Sequence, residues 1–110
     1  MGVGLHMILD GYAATPPTIA TVQDFIGSIV KRAKLQVIAG PFFFKLESYE
    51  EAWAVIAESH IAIKWFPNGL VLIDVFSCKR FELDDLATFT VAAFGLEHWQ
   101  VRGIQRMGLG

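Results

Sequence analysis

The chain has 110 residues, 54% of them hydrophobic and 18% charged, with a formal net charge of −2. That is one domain's worth of chain with ample apolar material for a core, and the composition excludes disorder, which needs low hydrophobicity and high net charge. The longest apolar stretch free of charge, LATFTVAAFGL at 86–96, falls short of the ~18–20 residues of a spanning helix, and the scattered Lys and Arg form no basic stripe, so neither a membrane nor a nucleic acid is expected as partner.

Taken in chain order, residues 3–12 (VGLHMILDGY) read as a buried first strand, closed by turn chemistry at Gly11 and Thr15-Pro16-Pro17. Over 19–34, Val22, Phe25, Ile26, Ile29, Val30 and Ala33 recur at helical spacing. Thr18 and Thr21 both offer an N-cap, the latter with Asp24 as a capping box, and Lys31, Arg32 and Lys34 suit a helix C-terminus. Residues 35–44 (LQVIAGPFFF) predict a strand broken at Gly40-Pro41, followed by an acidic turn or short edge segment at 46–51. Two strands follow at 52–57 and 60–66, with Glu58-Ser59 at their junction. Pro67-Asn68-Gly69 is a strong turn, and 70–77 (LVLIDVFS) a near-continuous apolar strand. A second helix spans 83–94, with Leu83, Leu86, Ala87, Thr90, Val91 and Phe94 on one side and Gly95 past its end. A last strand at 97–104 precedes a glycine-ended tail expected to fray.

The order β-α-β-β-β-β-α-β predicts an α+β two-layer sandwich: one mostly antiparallel sheet with two helices on one face, in a single domain over 1–110. The strands are apolar at too many positions to leave the other face bare, so a second copy or a ligand is expected there. The lone Cys78 excludes an intramolecular disulfide and a CxxC zinc site. No secretion signal opens the sequence, so the expected compartment is the reducing cytoplasm.

Chemistry-bearing residues are few. Glu58-Ser59-His60 puts a carboxylate, a hydroxyl and an imidazole in succession, but neighbours on a strand point to opposite faces and form no relay. The plain reading is a polar turn. The alternative is that a serine hydroxyl at a tight turn attacks its own preceding carbonyl, exchanging the peptide for an ester that eliminates to a pyruvoyl group. Cys78 ends the apolar strand, with Asp74 four residues earlier on the same face. A lone buried cysteine ordinarily serves as a small hydrophobe, whereas a carboxylate inside LVLIDVFS needs a partner, either structural or within a site. His6 reads as a satisfied core histidine, and His98 and Trp99 as edge packing. The three histidines lack ligand spacing, so no metal is expected. Phe42, Phe43 and Phe44 offer a stacking surface for an adenine, or simply core.

The segment AESHIAIKWFPNGLVLIDVFSC, 57–78, resembles the central motif of prokaryotic S-adenosylmethionine decarboxylase proenzymes, which reads roughly (A/S)ESHhoIHTWPE-x-GYAAhDhaTCG, with h apolar, o small or hydroxylated and a aromatic. The opening GLHMILDGYA, 4–13, resembles that family's GRHhhhDhYGC start. The resemblance implies a two-layer α+β fold that pairs into a homodimer, and a proenzyme that cuts itself between Glu58 and Ser59. Ser59 would become the pyruvoyl cofactor, forming a Schiff base with S-adenosylmethionine or a related amino acid for loss of CO2, and Cys78 would return the proton. The product supplies aminopropyl groups for spermidine. Asp10 and Glu58 are candidates to hold ribose hydroxyls or the substrate ammonium.

Three departures stand out. The family's processing histidine, five residues after the serine, is Lys64. Its processing serine, eight residues before, falls on Glu51. The usual HxFxPxG lead-in is replaced by FFFKLESY at 42–49. Lys64 would serve as a base if burial depressed its pKa, with Glu51 to hold or protonate it. The same departures motivate a second reading: an uncleaved, non-catalytic paralogue that binds a nucleoside-like ligand or regulates an active decarboxylase.

Overall fold

A computed structural model describes residues 4–32, 34–57, 59–78 and 81–106. The elements are β1 (Gly4–Ala13), α1 (Ile19–Arg32), β2 (Val37–Lys45), β3 (Glu50–Ile56), β4 (Ser59–Trp65), β5 (Leu70–Ser77), α2 (Leu83–Phe94) and β6 (Leu96–Arg106). The strands form one six-stranded sheet in the order β2-β3-β4-β5-β1-β6, with every neighbouring pair antiparallel. The predicted two-layer α+β sandwich is the observed architecture.

Period-two alternation sets the two faces. Along β5, Val71, Ile73, Val75 and Ser77 are buried, while the residues between them are half-exposed. Their partners Met7 and Leu9 on β1 and Ile61, Ile63 and Trp65 on β4 are buried too, because directly paired residues share a face. Onto this face pack Val22, Phe25, Ile26 and Ile29 of α1 and Ala87 and Phe94 of α2. Phe25 joins the helices, 5.9 Å from Phe89 and 4.9 Å from Phe94 between ring centroids. Burying each large aliphatic side chain contributes roughly 1.5–3 kcal/mol, so this face carries the stability of the fold.

Local signals place the helices. Thr18, not Thr21, caps α1: its Oγ1 accepts the backbone N–H of Thr21 at 3.2 Å. α2 ends where sequence puts it, at Gly95, whose φ of 62° closes the helix in the left-handed conformation. The buried Thr90 hydroxyl donates to the Leu86 carbonyl at 2.7 Å, which lets a polar residue sit on the apolar side of α2. Gly103 of β6 lies so close to Leu83 that an added Cβ would stand 2.7 Å from its side chain.

Ser59, read from sequence as part of a polar turn, is the first residue of β4, and other strand boundaries differ as well. β2 is not broken at Gly40-Pro41 but runs through it, because register shifts between Val37 and Phe42 absorb the proline on an edge strand. β3 starts at Glu50, so the acidic segment 46–51 is partly strand. β6 extends to Arg106, along the whole length of β1. Val3, Ala33 and the glycine-ended tail lie outside the described residues.

Candidate active site

β3 ends at Ile56 and β4 begins at Ser59, and these two residues pair across the strands, so only two residues connect them. Ser59 also pairs with Ser77 on β5. Parity turns both side chains to the helix side, where they are 9% and 4% exposed. The Ser59 hydroxyl donates to Ser77 Oγ at 3.2 Å. Burying a hydroxyl without a partner costs about 1–3 kcal/mol, which this pairing avoids. Cys78, a partly buried free thiol, follows directly where β5 ends. The junction therefore gathers Ser59, Ser77 and Cys78 at one end of the sheet. Glu58 lies outside the described residues.

The other candidates lie on the opposite, open face. Glu51 and Lys64 pair directly across β3 and β4, on the far side of the sheet from the Ser59 hydroxyl. Glu51 accepts the Trp53 indole N–H at 2.8 Å, and the Lys64 ammonium stands 5.5 Å from the centre of the Tyr49 ring. Asp10 pairs with Leu72, five residues along β5 from Ser77, which is about 17 Å at the rise of a strand. It lines a shallow recess of ≈ 390 Å³ with Tyr12, Leu72, His98, Trp99 and Gln100. The structure thus does not bring Asp10, Glu51 or Lys64 to Ser59 within one chain.

The open face also holds a cluster that sequence reading left scattered. Asp74 is not buried: its side chain is 41% exposed, and its carboxylate lies 3.0 Å from His6 Nε2. His6 accordingly sits on the open face and not in the core. His60 packs edge-on to His6, with ring centroids 6.2 Å apart, and lies 5.6 Å from Phe76 and 6.2 Å from Trp53. Burial holds the His60 pKa below its ordinary 6.5, and the neighbouring His6 and Arg106 push the same way against the attraction of Asp74. Phe42 and Phe44 lie on this face, half-exposed, opposite Trp53 and Glu51 respectively, while Phe43 packs against the core. Among the described residues no helix is long and apolar enough to cross a membrane.

Known proteins give this arrangement a context. The family model described as S-adenosylmethionine decarboxylase matches residues 5–107. The S-adenosylmethionine decarboxylase proenzymes of Thermoplasma volcanium and Thermoplasma acidophilum are each 29% identical over 82 residues, covering 71% of this chain and 63% of the relative. The chain thus spans less than two thirds of these relatives' length. The crystal structure of the adenosylmethionine decarboxylase from Aquifex aeolicus VF5 superposes with a TM-score of 0.80 at 19% identity, covering 99% of this chain and 93% of that one, a likeness of fold. With a match that runs from the first strand through the last, on the fold that its own alternation builds, the chain belongs to the S-adenosylmethionine decarboxylase family.

Proposed function

We propose that the chain is a proenzyme that cleaves itself between Glu58 and Ser59 and then decarboxylates S-adenosylmethionine or a closely related amino acid, in the service of polyamine synthesis. The observation that carries this reading is the buried Ser59 hydroxyl, first residue of β4, donating to Ser77 beside Cys78. The residues fit a pyruvoyl group made from Ser59: the precursor hydroxyl is shielded from water and held by Ser77, the residue before Cys78. When formed, that group supplies an electron sink for loss of CO2. The chain's own parts are then Cys78, which delivers a proton to the substrate's α-carbon, and the end of β5, which orients it.

A homodimer through the open face accompanies this reading. Tyr12, Phe42, Phe44, Trp53, Val55 and Ile104 are 40–51% exposed there, a patch that a solitary sheet does not keep bare without cost.

The test is release of CO2 from carboxyl-labelled S-adenosylmethionine and related amino acids by the purified chain, alongside Cys78→Ala. Cleaved protein that releases CO2, with turnover lowered about tenfold or more in the variant, is expected. Cleaved protein inert toward every substrate overturns the reading. One observation favours a second reading, an uncleaved paralogue that binds a nucleoside-like ligand or regulates an active decarboxylase: Glu51 and Lys64, at the family's processing positions, are engaged with Trp53 and Tyr49 on the face away from Ser59. Stable intact protein that binds S-adenosylmethionine without releasing CO2 would decide for it.

A further inference from the structure

The self-cleavage proposed above needs the Ser59 hydroxyl to be aimed and made nucleophilic, and the side chains at the family's processing positions do not face it. Glu51 and Lys64 pair with each other on the open face, and His60, next in sequence, packs among Phe76, His6 and Trp53 on that face. On the helix side the hydroxyl's acceptor is Ser77 Oγ at 3.2 Å, within a pair that the register of β4 and β5 fixes and that burial protects from water.

We infer that Ser77 is the positioning residue for self-cleavage, an inference that rests on the pyruvoyl reading. A hydroxyl that donates its hydrogen carries more electron density on oxygen, and its lone pairs are left free for attack. Fixing its rotamer removes the entropy of finding the attacking geometry. In the step itself the Ser59 Oγ–carbon bond forms at the Glu58 carbonyl and the Glu58–Ser59 C–N bond breaks. The hydroxyl proton ends on the freed Ser59 nitrogen, so the step is an isomerisation of amide to ester and amine. Ser77 holds the hydroxyl and undergoes no net change of protonation, so no oxidant, metal or co-reactant is involved.

The experiment follows the 59–110 fragment by intact mass after cell-free synthesis of the full chain, comparing wild type with Ser77→Thr, Ser77→Val and Ser77→Ala. Threonine and valine have the same shape, and only threonine keeps the hydroxyl. Circular dichroism and thermal melts establish that each variant is folded. The expected result is cleavage of Ser77→Thr within a few-fold of wild type, and slowing by about tenfold or more in Ser77→Val and Ser77→Ala. A merely structural role for residue 77 would move the melts and leave the threonine–valine difference in rate absent. Valine cleaving as fast as threonine, or threonine slowed as much as valine, overturns the role of Ser77 while leaving the pyruvoyl reading standing. A folded wild type that never cleaves overturns both.

Discussion

The two faces of this sheet are made from the same six strands yet follow different rules. On the helix side, Met7, Leu9, Ile63, Val71 and Ile73 are fully buried, and the polar groups admitted there have partners: Ser59 with Ser77, Thr90 with a backbone carbonyl. On the open side, aromatic rings alternate with His6, His60, Asp74, Glu51 and Lys64, and nearly all are half-exposed. The difference teaches where change is tolerated. The departures at Glu51 and Lys64 fall on the open side, where a new side chain meets solvent or another surface, whereas Ser59 belongs to the closely packed side, where a change of volume or polarity is felt.

The sharpest way to break this contrast is Ser59→Ala. It removes the nucleophile and is expected to abolish fragment formation entirely while the far-ultraviolet circular dichroism stays that of the folded chain. Persistent cleavage would move the reaction elsewhere. Next in size is a pair of neighbours on opposite faces. Ile63→Ala is expected to cost about 2–5 kcal/mol in denaturant unfolding, and Lys64→Ala less than about 0.5 kcal/mol. Equal losses would mean that the open face is as closely packed in solution as the core.

A third probe addresses what covers the open face. Trp53→Asp places a charge in the half-exposed aromatic patch and is expected to convert a dimer into a monomer by light scattering, with the fold retained. A dimer that survives would move the pairing to another surface. The smallest effect concerns His60, whose folded pKa lies below 6.5 because of burial. Well above pH 6.5 the imidazole is neutral in both states. As the pH falls from 6.5 toward the folded value, the unfolded chain takes up the proton first, and stability declines. The melting temperature should therefore fall on acidification through that window, and His60→Gln should flatten the fall. An unchanged profile would assign the acid sensitivity to other groups.

Sequence carried the local parts of this structure and little of what depends on pairing. The helix at 83–94 with Gly95 behind it and the strand LVLIDVFS were legible because their signals lie within a few residues of one another, whereas the choice of Thr18 over Thr21 as cap came only with the structure. The path of β2 through Gly40-Pro41 was not, since a bulge on an edge strand spares the proline its missing hydrogen bond. The contact of His6 with Asp74 spans 68 residues and exists only because β1 inserts between β5 and β6. Ser59 and Cys78 stood out by family spacing. Ser77 did not, because it becomes meaningful only once the register sets it opposite Ser59. The one available signal was its position immediately before the cysteine, at the inward parity of an apolar strand.

The central claim is that Ser59 is a self-processing nucleophile, and the intact mass of freshly purified protein under denaturing conditions tests it most directly. Two fragments, one ending at Glu58 and the other beginning with a pyruvoyl group in place of Ser59, are the result this account predicts. A single species at 12.2 kDa that persists through long incubation would contradict it.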